Sequence, residues 1–139
     1  MAANGRSAPE VRLGITSDDG IAASIFALVE RGAARRPALA MEMRGRVELR
    51  FEEGVAPVRL VFEGGVVIVE DGALEDPDLR ISGRLPHVVA LTVAPLVGGV
   101  PNPATGRGRS ALAKVAGGHV RLEGDRGLGR RLLRLLAIH

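Results

Sequence analysis

The stretch RVELRFEEGVAPVRLVFEGGVVIVE, residues 46–70, decides the fold, because its apolar side chains recur at every second position. Val47, Leu49 and Phe51 point one way while Arg46, Glu48, Arg50 and Glu52 point the other, the pattern of a half-buried strand. Val58 to Glu63 repeats the alternation, and Val66 to Glu70 continues it after Gly64-Gly65, a pair suited to a two-residue hairpin turn. That turn sets Phe62 opposite Val67, Leu60 opposite Val69 and Arg59 opposite Glu70. A four-residue turn over Gly54 to Pro57 would likewise set Phe51 against Leu60 and Glu52 against Arg59. Both hairpins then share one inner face, and a one-residue slip would drive Arg and Glu into the core. Val61 and Ile68 interrupt the outer charges, either as an exposed apolar pair or as a contact with another copy. The first is the simpler reading, since scattered surface apolar residues are normal.

Working outward, residues 1–14 read as a flexible lead-in, and Thr16-Ser17-Asp18-Asp19 offers capping oxygens for a helix running to about Arg36. Ile21, Ile25, Leu28 and Val29 give that helix its apolar stripe, and Pro37 stops it before a short helical piece over Ala38 to Arg44. Beyond the meander, Asp71 to Asp78 is a loop and Leu79 to Gly83 a fourth strand. Pro86 can start a helix through Val88, Val89 and Leu91, after which Pro95, Gly98, Gly99, Pro101 and Pro103 enforce an irregular stretch to Gly108. Arg109 to Ala116 has a helical pattern, His119 to Glu123 forms a fifth strand, and a last helix presents Leu128, Leu132, Leu135 and Leu136 inward with Arg130, Arg131 and Arg134 outward. The expected class is α+β: a five-stranded, mainly antiparallel sheet with helices packed on one face, forming one domain over residues 15–139.

Composition fits that class. At 139 residues the chain can bury ~70% of its unfolded surface in one core. Hydrophobic residues make up 46% and aromatics 2%, with no Trp, no Tyr and only Phe26, Phe51 and Phe62, so aliphatic side chains must fill the interior. Cysteine is absent and Met1 to Glu10 lacks the apolar stretch of a signal peptide, so the cytoplasm is the expected compartment. Val88 to Val100, the longest apolar run, is broken by Pro95 and the Gly98-Gly99 pair and falls short of the ~20 residues that cross a bilayer. A net charge of +3 permits attraction to phosphate-bearing partners, including a membrane surface, without choosing among them.

Catalytic constellations are missing. Nucleophilic catalysis would need His87, His119 or His139 beside an oriented Ser or Thr, yet His119 shares the outward parity of Arg121 and Glu123. Glu75, Asp76 and Asp78 form an acidic cluster without the spacing of a calcium loop, so no metal and no cofactor are expected. Gly98-Gly99 and Gly106 to Gly108 lack a phosphate-loop context. Arg107, Arg109, Arg126, Arg130, Arg131 and Arg134 could contact phosphates, but the sheet offers no aromatic platform for bases, so nucleic acid is not the expected partner. An aliphatic sheet face under helices with a Gly/Pro-broken linkage can leave an apolar cavity. From periodicity alone a filled core is the simpler reading.

Gly118-His119-Val120-Arg121-Leu122-Glu123-Gly124-Asp125, running into a Leu/Arg C-terminal helix, resembles the sterol carrier protein type 2 family, as does Glu75-Asp76-Pro77-Asp78-Leu79-Arg80-Ile81 leading out of the third strand. The likeness spans roughly residues 18 to 138. It implies a twisted five-stranded sheet enclosing an apolar tunnel for a fatty acid, fatty acyl-coenzyme A or sterol-like lipid, and no enzymatic activity. Phe26, Val29, Leu49, Phe51, Leu60, Phe62, Leu91, Leu112 and Leu132 are then the lining. A monomer or weak homodimer is expected, and the alternative function is a non-catalytic interaction module that docks an enzyme of lipid metabolism.

Overall fold

The structure is a computed structural model that describes residues 8–88, 96–97, 100–101, 104, 106, 109, 113, 117–118 and 120–137. In chain order its elements are β1 (Glu10–Leu13), α1 (Ala22–Arg35), α2 (Pro37–Glu42), β2 (Arg44–Phe51), β3 (Val58–Glu63), β4 (Val66–Asp71), β5 (Leu79–Gly83), β6 (Leu96–Val97), β7 (Val100–Pro101), β8 (Val120–Gly124) and α3 (Arg126–Leu136). The main sheet has six strands in the order β1-β4-β3-β2-β5-β8, and β6 pairs with β7 in a separate two-stranded sheet. The class is α+β, but the sheet is mixed rather than five-stranded and mainly antiparallel, because β1 runs parallel to β4 and β5 runs parallel to β2.

The β3–β4 hairpin has the expected register, with Phe62 opposite Val67, Leu60 opposite Val69 and Arg59 opposite Glu70. Gly64 and Gly65 make its turn with φ of +67° and +119°, angles that L side chains rarely adopt. The β2–β3 register differs from the expected one. Leu60 pairs with Val47 and Arg59 with Glu48, four positions away from Phe51 and Glu52. Pairing with β3 ends at Leu49, and Arg50 and Phe51 continue on the other side, opposite Ser82 and Gly83 of β5. Because four is an even shift, every side chain keeps its face.

β1 falls inside the stretch expected to be a flexible lead-in. Glu10 donates its N–H to the Gly65 carbonyl at 2.7 Å and Gly14 to that of Val69 at 2.8 Å, zipping the segment onto β4. The Thr16–Asp19 run does not cap α1: Ile21 stands at the N-cap with no side-chain hydrogen bond. Instead Ser17 donates its backbone N–H to Asp71 at 2.8 Å, anchoring this loop to the end of β4. The region expected to be irregular up to Gly108 contains β6 and β7, paired through Val97 and Val100.

The parallel step from β4 to β5 crosses the outer face of the sheet and buries Glu48, whose outward parity had suggested exposure. Its carboxylate accepts from the Leu74 N–H at 2.8 Å, from Arg80 at 2.5 Å and from Arg50 at 3.4 Å. Burial pushes this carboxyl up, but the hydrogen bonds from Arg80, Leu74 and Arg50, with the charge of Arg50, outweigh it and hold Glu48 below the ordinary carboxylate range.

On the inner face, Val47, Leu49, Phe51, Val58, Leu60, Phe62, Val67, Val69, Leu79 and Ile81 are buried in a single cluster with Ile25 and Val29 of α1 and Leu128, Leu132, Leu135 and Leu136 of α3. Asp125 caps α3 by accepting from the Leu128 N–H at 3.0 Å. The two long helices meet closely at Gly32, where an added Cβ would lie 2.1 Å from the Leu135 carbonyl oxygen. Arg36 ties the same junction by donating to the Ala137 carbonyl at 2.9 Å.

Candidate functional site

The layer between sheet and helices is not completely filled. A gap with a cavity volume of about 10 Å³ is lined by Ile25 and Leu28 of α1, Leu49 and Phe51 of β2, Leu60 of β3, Val88, and Leu132 and Leu136 of α3. Each element contributes for a local reason. Leu49 and Phe51 are two apart on one strand and so share a face; Leu132 and Leu136 are four apart and so share a helix stripe. Ile25 and Leu28 are three apart on α1. Val88 enters from residues 85–88, which form a helical turn with the Val88 N–H bonded to the Arg84 carbonyl at 3.0 Å.

Every lining side chain among the described residues is apolar, so these residues give the gap no directional donor or acceptor and no group able to activate a nucleophile. Its size corresponds to about one water-sized sphere, but a water there would lack polar partners. A lining of this kind suits apolar matter, for which affinity is set by area and shape rather than by hydrogen bonds.

Of the residues singled out by sequence as lining, the structure brings four to the gap: Leu49, Phe51, Leu60 and Leu132. Val29 and Phe62 are buried in the same core without bordering the gap, and Phe26 is half-buried against it. Leu91 and Leu112 lie outside the described residues. Ile25, Leu28, Val88 and Leu136 were not singled out as lining. Ile25 and Leu28 belong to the stripe already evident on the first helix and Leu136 to that of the last, so the periodic signal contained them; which member of a stripe meets the gap depends on the helix crossing.

Among the described residues, no group of three or more His, Asp or Glu side chains is placed to hold a metal ion. None of the described helices is long and apolar enough to cross a membrane. Val61 and Ile68 oppose each other across β3 and β4 on the outer face and are half-buried.

No protein-family model matches this sequence, and no curated protein sequence matches it. Solved structures do. A protein described as "UbiJ-SCP2 Ubiquinone synthesis protein" superposes with a TM-score of 0.61 at 17% identity, over 84% of this chain and 92% of that one. The sterol carrier protein domain 2 of Helicoverpa armigera gives 0.58 at 19% identity, over 88% and 92% of the two chains. Palmitated SCP2L2 from Aedes aegypti gives 0.53 at 17%, over 86% and 96%. Helices over one face of this sheet are thus an arrangement shared along nearly the whole length of those domains, and the chain has the sterol carrier protein 2 fold.

Proposed function

We propose that this protein is a non-enzymatic cytoplasmic carrier that binds a hydrophobic ligand, a fatty acid, fatty acyl-coenzyme A or sterol-like lipid, between its sheet and helices. The observation that carries this reading is the gap whose described lining, from α1, α3, β2, β3 and Val88, is apolar throughout. One solved relative in fold, the palmitated Aedes aegypti domain, supports the ligand class by its own description.

A volume of about 10 Å³ admits no alkyl chain as it stands, so ligand entry must widen the gap, with α1 and α3 as the movable wall. The energetics allow it. Burying about ten methylenes yields roughly 8 kcal/mol at ~0.8 each, from which separating packed side chains and immobilising the ligand subtract several kcal/mol. The remainder corresponds to weak or moderate affinity, and the apolar lining among the described residues makes selectivity loose.

Native mass spectrometry on purified protein, before and after delipidation, followed by titration with a fluorescent fatty acid, tests the proposal. A co-purified lipid, or saturable one-to-one uptake by the delipidated protein, is the expected result. Neither appearing would end the reading.

A further inference from the structure

We propose that the outer face of α3 is a docking surface for an anionic phospholipid bilayer, and that it holds the wall of the apolar gap against the membrane. This rests on the lipid-carrier reading above for its purpose, though not for its electrostatics. Arg126, Arg130 and Arg134 are exposed, and Arg131 is half-buried. α3 contains no acidic residue, and none of these four arginines forms an ion pair among the described residues. At 1.5 Å and 100° per residue, Arg126, Arg130 and Arg134 form a row about 12 Å long within about 80° of the helix circumference. A short straight row of unneutralised cations suits a flat anionic surface.

Several cations on the sheet, in contrast, have a carboxylate partner. On the outer face of the sheet Arg59 meets Glu70 at 2.8 Å, while Arg80 and Arg50 converge on Glu48. Those cations each touch a carboxylate, whereas no carboxylate among the described residues pairs with the arginines of α3.

A bilayer is favoured over nucleic acid by what lies on the other side of the same helix. Leu132 and Leu136, one turn apart on α3, line the gap, so a helix resting on a membrane by its arginines would place the movable wall at the lipid phase. A ligand with negligible solubility in water has to be collected from such a phase. Nucleic acid would gain nothing from that juxtaposition, and the described face offers no aromatic side chain on which bases could stack.

Vesicle flotation tests the docking directly. Vesicles of phosphatidylglycerol mixed with phosphatidylcholine should bind the protein at low salt and release it at high salt, and vesicles of phosphatidylcholine alone should not bind it. Replacing Arg126, Arg130 and Arg134 together by Gln should weaken binding about 100-fold, with each cation near an anionic surface contributing about five-fold. The matching triple Lys variant should retain it. Arg130→Glu, at the middle of the row, keeps the test available if the triple Gln variant does not fold. Equal binding by wild type and Gln variant would overturn the proposal, as would retention on RNA or duplex DNA without retention on the anionic vesicles. Uptake of a fluorescent fatty acid from water, measured on the same proteins, separates the two readings. Uptake without docking refutes the docking face and leaves the carrier standing; docking without uptake leaves the face standing and refutes the carrier.

Discussion

Leu132→Ala is the perturbation that interrogates the gap most directly. Leu132 is 1% exposed and borders the gap together with Leu49, Phe51 and Leu60. The substitution removes three carbon atoms, a loss of about 2.4 kcal/mol in transfer energy at ~0.8 kcal/mol per methylene. If about 60 Å³ of the vacated space does not relax, a cavity cost of ~24 cal/mol per Å³ brings the total to about 4 kcal/mol. The protein should remain folded, since domains of this size have roughly 5–15 kcal/mol to lose, with a melting temperature lower by about 10 °C or more. The enlarged hole should also accept a guest more readily than wild type. A short fatty acid at 100 times its dissociation constant should return about 2.7 kcal/mol, read as an upward shift in a thermal melt of the variant. A variant that loses the expected stability but recovers none of it with any apolar guest would refute the gap as the route of ligand entry. A loss below about 1 kcal/mol would show that Leu132 is not close-packed.

Other perturbations test the frame around the gap. Glu48→Ala should cost about 3–5 kcal/mol in a urea titration, because it strands Arg80 and the Leu74 N–H beneath the crossover, and Glu48→Met, which restores volume, should cost less than Glu48→Ala. Stability should fall on acidification. The Glu48 carboxyl, buried yet held low by Arg80, Leu74 and Arg50, and the Glu70 carboxyl, held low by the Ile15 N–H and Arg59, are both depressed in the folded state, so the unfolded chain binds their protons more tightly. Their contribution is complete above the unfolded carboxylate pKa of about 4.3 and is lost as pH drops through the lower folded values, which melts taken from pH 7 to pH 3 will resolve. Gly32→Ala should force α1 and α3 apart, since its Cβ would meet the Leu135 carbonyl oxygen at 2.1 Å; about 1–3 kcal/mol of lost stability is expected by thermal melting.

The local pairings were legible in sequence and the distant ones were not, for a physical reason that particular residues illustrate. Gly64-Gly65 permits one tight turn, and that turn alone sets Phe62 against Val67. The connection from β2 to β3 carries no such constraint. Pairing stops with Leu49 opposite Val58, and the chain between them absorbs an even shift that leaves alternation unchanged, so periodicity could identify the inner face but not the register. Val11 and Leu13 do alternate with Glu10 and Arg12, yet a four-residue strand becomes recognisable only with its partner, more than fifty positions away. Glu48 shows the same limit from the other side. Its parity correctly put it on the outer face, but nothing local reveals that residues 72–78 pass over it; Leu74, the one large aliphatic side chain in that loop, is the one hint. For the site, stripes on two helices and two strands identified the apolar layer, while the helix crossing at Gly32 decides which members face unfilled space.

The parallel seating of β1 on β4 also has a consequence in time. A ribosome releases Glu10–Leu13 several seconds before Val66–Asp71, at ~5–20 residues per second, so β1 has to wait for β4 before it can be laid down. Until then the nascent meander has a bare border along Val66 and Ile68, open to any passing extended chain. Sealing it requires closure of a long loop, which slows maturation and makes Glu10–Leu13 the latch of this edge of the sheet.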